Sequence, residues 1–261
     1  MNKKELLKQA DKNLAANIMH RNTHAVNANG EQTKDYILYT LGVEVLDGHL
    51  NGALCLNTID SEIFLNEVDT FFMNQEQRGY VIWVRDHQDQ DLEALLKAKG
   101  HKPVREPGSA GMVIYKPIEV QELPQGFVIK QVTDHQSQKD YAQVIGKAFN
   151  KTQHVVKNMF SNPQITNAEN VKAYVVYHEY KPVAGTTIVL SGKTAGIYFL
   201  GTIDEARGKG LGSFLTAYSS NVGFEMGADR VVLQASLAGE PIYKKLGYET
   251  FTHYRWYKIE K

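Results

Sequence analysis

The chain has 261 residues, 29 Lys and Arg against 29 Asp and Glu, 43% hydrophobic residues and one cysteine. That length supports one large domain or two ordinary ones with cores of their own, and the hydrophobic content argues against disorder. Zero net charge with no local basic block excludes nucleic acid as a partner, and lone Cys55, unable to form an internal disulfide or a thiolate metal site, points to a reducing, cytoplasmic setting.

From Met1 onward, charged and apolar residues alternate without the apolar stretch of a secretory signal. Leu6, Leu7, Ala10, Leu14, Ile18 and Met19 recur at helical spacing and predict an amphipathic helix packed on a core. Its polar face mixes both signs instead of concentrating Lys and Arg, and no apolar run approaches the ~18–20 residues that span a bilayer. No membrane partner is expected. The cluster Arg85-Asp86-His87-Gln88-Asp89-Gln90-Asp91 follows a strand and reads as a solvated polar loop with a helix cap, not a metal site. The stretch Ile118–Gly126, with Pro124 and Gly126 between two apolar runs, reads as a connection between domains 1–118 and 119–261.

Beyond it, Phe127–Val132 alternates like a half-buried strand. Thr133 or Asp134 then caps a helix carrying Tyr141, Val144, Ile145, Ala148 and Phe149 on one face. A loop region around Ser161-Asn162-Pro163 precedes three consecutive antiparallel strands, Ala173–Tyr177, Val183–Leu190 and Ala195–Leu200. A glycine-rich turn, Arg207–Gly212, opens a helix with Leu211, Phe214, Leu215, Tyr218 and Val222 on one side. Strand Arg230–Ala235, short helix Pro241–Leu246 and strand Glu249–Ile259 complete the chain. This order predicts an α/β protein with a mixed sheet and helices on its faces.

The first half echoes the second. Asn57-Thr58-Ile59-Asp60 matches Gly201-Thr202-Ile203-Asp204, Gly79–Val84 matches Arg230–Gln234, and Leu95–His101 matches Ile242–Tyr248, in the same order.

The turn Arg207-Gly208-Lys209-Gly210-Leu211-Gly212 carries the chemistry. The first amides of a helix lack intrahelical acceptors, the helix dipole favours negative charge there, and glycines let the backbone close on a phosphate. Arg207 and Lys209 add positive charge. The spacing is neither that of a Rossmann loop nor that of a Walker loop, and the strands upstream form a meander.

These residues resemble the Arg/Gln-x-x-Gly-x-Gly/Ala signature of the GCN5-related N-acetyltransferase (GNAT) superfamily. Downstream, Val231–Tyr248 is similar to that family's next strand and its Tyr-x-x-x-Gly-Phe/Tyr segment. The resemblance covers about Gly126 to Lys261. It implies a GNAT fold in two halves, a cytoplasmic acyltransferase and acetyl-CoA as cosubstrate, with no metal. The signature strand would splay from its neighbour, with Leu200, Gly201, Thr202 and Ile203 along the pantetheine arm and an amide near Leu200 polarising the thioester. Arg207 and the backbone of Gly208, Lys209, Gly210, Leu211, Gly212 and Ser213 would hold the pyrophosphate. Ser236 stands where relatives carry a cofactor-contacting asparagine. Tyr243 is the implied general acid, since a phenol can donate to the departing thiolate.

No base is assigned; His154, Glu169, His178, Tyr198 and ordered water are the alternatives. The absence of a second-half cysteine favours direct transfer to a primary amine in a ternary complex over an acetyl-cysteine route. In the first half, Ser61–Val68 replaces the glycine turn and Leu96 aligns with Tyr243, so that half is expected to be degenerate, serving as a scaffold or a wall of the acceptor cleft. A different acyl donor, or a CoA-binding sensor without turnover, are the competing readings. The amine acceptor stays unidentified and a homodimer stays open.

Overall fold

The computed structural model describes residues 2–75 and 79–260; Met1 and Lys261, where the two expected domains begin and end, lie outside them. The chain divides into two compact units, Met1–Gly111 with Thr250–Lys261, and Met112–Glu249. Among the described residues no helix is long and apolar enough to cross a membrane.

The first unit contains α1 (Lys3–His24), β1 (Asn29–Gln32), β2 (Tyr36–Thr40), β3 (Asn51–Cys55), α2 (Ser61–Met73), β4 (Gly79–Arg85) and α3 (Gln90–Ala98), and the chain leaves it within β5 (Ser109–Ile114). Asn2 caps α1 by accepting from the Glu5 amide at 2.8 Å. The predicted apolar positions Leu6, Ala10, Leu14 and Ile18 are buried. Asp60 caps α2 by accepting from the amides of Glu62 and Ile63, both at 3.0 Å. Phe64, Val68 and Phe72 of α2 and Leu92 and Leu96 of α3 join one core cluster with strand residues such as Ile82. Each such burial contributes about 1.5–3 kcal/mol.

The second unit contains β6 (Phe127–Gln131), α4 (His135–Ala148), α5 (Gln153–Met159), β7 (Asn167–Ala168), β8 (Val171–His178), β9 (Lys181–Ser191), β10 (Thr194–Thr202), α6 (Leu211–Glu225), β11 (Arg230–Ala235) and α7 (Glu240–Lys245). Its strands run in the order β11-β10-β9-β8-β6, with β7 paired to β8. Asp134 and Ser137 form a reciprocal capping box at the start of α4, as the sequence predicts. Ahead of the loop region expected around Ser161-Asn162-Pro163 the chain also forms α5, started by Thr152, whose hydroxyl accepts from the Val155 amide.

α4 and α6 cover opposite sheet faces. On α6, Ser219 donates to Thr186 at 3.2 Å, and a Cβ added at Gly223 would sit 2.8 Å from that of Ala195 and 3.1 Å from Val231 Cγ2. On α4, the Tyr141 hydroxyl bonds Thr187, and its ring lies 3.1 Å from where Gly185 would place a Cβ. Alternate strand residues thus face alternate helices.

The division differs from a single cut after residue 118. β12 (Glu249–Glu260) pairs antiparallel with β4 from Tyr254↔Arg85 to Glu260↔Gly79, which returns Thr250–Lys261 to the first unit. Met112–Ile114 of β5 belong to the second unit, where β5 neighbours β11. The internal echo has a structural counterpart: β3 and β4 pair in parallel through Gly52↔Val81, as β10 and β11 do through Thr194↔Arg230, each pair linked by a helix.

In the Arg85–Asp91 cluster Asp86, Gln88, Gln90 and Asp91 are exposed as a polar loop requires, whereas Arg85 and Asp89 are buried, against expectation. The Arg85 side chain is fully buried and bonds Asp89 at 2.6 Å and Asp11 at 3.0 Å. Asp89 occupies the cap position of α3 without capping it; its carboxylate turns back to the Arg85 backbone amide and Nε, both at 2.8 Å. His87 Nε2 lies 3.0 Å from Asp11, which also accepts from the Tyr254 hydroxyl at 2.8 Å. Strand pairing carries these groups inside, where an arginine needs acidic partners.

Candidate active site

The site begins where two strands part. β10 and β11 pair in parallel at Thr194↔Arg230, Ala195↔Val231 and Gly196↔Val232, and there the ladder ends, although β10 runs on to Thr202 and β11 to Ala235. On its other edge β10 keeps its pairing with β9 through an irregularity between Tyr198 and Gly201, where Phe199 takes φ 48°. A bulge of this kind bends its strand away from a neighbour. The backbone of Leu200, Gly201 and Thr202 therefore borders an opening towards β11. Ile203 continues the β9 pairing, its amide donating to the Val183 carbonyl and its own carbonyl accepting from the Ala206 amide, both at 3.0 Å. Gly201 is required by close approach, since a Cβ there would meet the side chains of Ala148 and Phe149 at 2.8 Å.

After a 3-10 turn, Asp204–Ala206, the backbone turns left-handed at Gly208 and again at Gly210, both at φ 77°. Neither position has a neighbour within 4 Å of an added Cβ, so the glycines answer a backbone demand on an open surface. Gly210 starts α6 with no side-chain cap, and the first intrahelical bond runs from the Phe214 amide to Gly210. The amides of Leu211, Gly212 and Ser213 thus precede any intrahelical acceptor, as an anion-binding helix start requires. Arg207 lies 2.8 Å from Asp204 with both side chains exposed, a contact weak enough to exchange for a phosphate. Lys209 places Nζ 5.7 Å from the centre of the Phe127 ring, which stacks on His178 at 4.3 Å.

α7 meets the start of α6, with Ile242 Cδ1 3.7 Å from where Gly212 would place a Cβ. On α7, Tyr243 is buried, its hydroxyl has no hydrogen-bond partner among the described residues, and burial pushes its pKa up to about 12. Gly239 makes room for the ring; a Cβ there would lie 2.9 Å from the hydroxyl. Ser236 follows β11 and is exposed, and its hydroxyl accepts from the Gly239 amide at 3.1 Å, which fixes the turn into α7. Of the alternatives for a base, His154 and Glu169 are exposed outside β10 and β11, and His178 lies at the Lys209 end. Tyr198 is buried in β10 beside the parting.

One residue had no role in the sequence reading. Gln234 buries its amide Nε2 with no hydrogen-bond partner among the described residues. Such a donor costs about 1–3 kcal/mol when left unpaired. The available signal was its place as the single polar side chain between Val231 and Ala235.

Residues 139–248 match the Acetyltransferase (GNAT) family. The match covers 110 of the 261 residues and takes in the meander, the glycine-rich turn and α7. The fold extends the likeness over the whole chain. A GCN5-related N-acetyltransferase from Kribbella flavida superposes with TM-score 0.72 at 17% identity, over 95% of each chain. A GCN5-related N-acetyltransferase from Sphaerobacter thermophilus gives 0.59 at 14% identity, over 88% of this chain and 82% of that one. A tandem GNAT protein from the clavulanic acid biosynthesis pathway gives 0.61 at 11% identity, over 94% of this chain and 87% of that one. At these identities the likeness is one of fold. No curated protein matches the chain.

Proposed function

We propose that the second unit is an acetyl-CoA-dependent N-acetyltransferase acting on a primary amine by direct transfer, with the first unit a degenerate relative lacking a site of its own. The observation that carries this reading is the parting of β10 from β11 after Gly196↔Val232, leading along β10 to an uncapped helix start at Gly210. An opening bordered by unpaired backbone suits an extended amide-bearing arm, and three leading amides beside Arg207 suit a pyrophosphate.

Acetyl-CoA supplies an activated acetyl thioester. The backbone of Leu200, Gly201 and Thr202 orients it, and an amide near Leu200 stabilises negative charge on the carbonyl oxygen as the amine attacks. The Tyr243 hydroxyl, protonated at any physiological pH, donates to the departing sulfur, and the proton that the amine loses on forming the amide passes to water, from which the phenolate is reprotonated. The start of α2 offers no counterpart to the cradle at α6, because Asp60 already occupies its leading amides.

Calorimetry with acetyl-CoA and CoA tests the site, and saturable binding of one molecule per chain is expected; no binding by either removes the assignment. An amine screen monitored by thiol release tests the chemistry. Tight binding with silence across the screen would select the sensor reading instead.

A further inference from the structure

We infer that Gln234 recognises the acceptor, and that this acceptor carries a carbonyl oxygen, of an amide or a carboxylate, close to its amine; the inference rests on the acetyltransferase reading above. Gly196 and Val232 form the last pair of the parallel ladder, so Tyr198 and Gln234 each stand two residues past it, on opposite sides of the opening. Their orientation follows from alternation. Ala195 and Val231 face Gly223 of α6, so Gly196, Val232, Tyr198 and Gln234 face the other way, towards the α4 side. The anion cradle opens α6, on the face that Gln234 turns from. The side chain therefore serves the half of the opening left to the acceptor.

Its chemistry is equally definite. The buried Nε2 bears two protons and finds no acceptor among the described residues, and the neighbour on its own face of β11, Val232, is apolar and fully buried. An amide donor in such surroundings selects for an oxygen and against a methylene, because a ligand without oxygen leaves it unpaired.

The test compares leucinamide, leucine and isoamylamine as acceptors for acetyl-CoA, in wild type and in Gln234→Leu. In wild type, leucinamide or leucine should exceed isoamylamine at least about tenfold in kcat/KM calculated on the neutral amine, the amide and the acid distinguishing the two carbonyl sources. Expressed per neutral amine, to remove the lower basicity of an amine beside a carbonyl, that ratio should fall in Gln234→Leu to near one, with unchanged acetyl-CoA affinity and a Tm equal to or above that of wild type, since no folded-state bond is lost. A ratio that survives the substitution overturns the inference. So does a Tm several degrees lower, which makes Gln234 structural, or a parallel loss of acetyl-CoA affinity, which makes it a cosubstrate contact. Bound acetyl-CoA without transfer to any of the three overturns the acceptor class alone. Failure of wild type to bind acetyl-CoA overturns the acetyltransferase reading and this inference with it.

Discussion

Gly196 stands opposite Val232 as the last parallel pair of β10 and β11, and the strand that leaves this pair leads directly to the left-handed Gly210 at the start of α6. Substituting Gly210 therefore tests the opening and the cradle together. Gly210→Val places a β-branched residue at φ 77°, at a cost of about 1–3 kcal/mol, and puts a side chain over the leading amides. Calorimetry should show acetyl-CoA binding weakened at least about tenfold, beyond what strain alone explains if the Tm falls by only a few degrees. Affinity equal to wild type would show that phosphate does not sit at this helix start.

Tyr243 makes the second prediction. Tyr243→Phe removes one oxygen whose hydroxyl has no partner among the described residues, so the fold loses no bond. Acetyl-CoA affinity should hold while kcat falls by about 10²–10⁴, the usual range for a lost general acid. Equal turnover would retire Tyr243 as the acid.

The same hydroxyl predicts a pH effect on stability. A free tyrosine ionises near 10, while desolvation holds Tyr243 near 12. Between these values the unfolded chain releases a proton that the folded chain retains, so stability is unaffected below pH 10 and lost as pH rises towards 12. The loss is about 1.4 kcal/mol per pH unit. Urea unfolding at pH 9 and 11 should show wild type losing stability relative to Tyr243→Phe. Parallel losses would mean that the phenol is not desolvated.

Much of this site is legible in the sequence because it depends on local signals. Glycines at 208, 210 and 212, the strand before them and the Tyr243 segment after them fix a turn, a helix start and a short helix, and the Asp134 cap behaves as read. What escapes is set by distant pairing. The return of β12 to β4 moves Thr250–Lys261 into the first unit, and no local pattern encodes which strand it will join. Arg85 reads as a loop charge until strand pairing buries it between Asp11 and Asp89, the former 74 residues away. Gln234 matters only once β10 and β11 part.

The Arg85 network supplies the last prediction. Asp11 and Asp89 are nearly as buried as the arginine, so Arg85→Met leaves two carboxylates inside without their cation. Removing one partner of such a set costs about 3–5 kcal/mol, far more than the ion pair contributes net of its desolvation. The substitution should lower the Tm of the first unit by many degrees. Adding Asp89→Leu should return part of the loss, because one of the stranded charges is gone. Since every named group belongs to the first unit, acetyl-CoA affinity measured well below the transition should match wild type. A Tm near wild type for Arg85→Met would mean that water reaches the carboxylates and that the network is not a dry one.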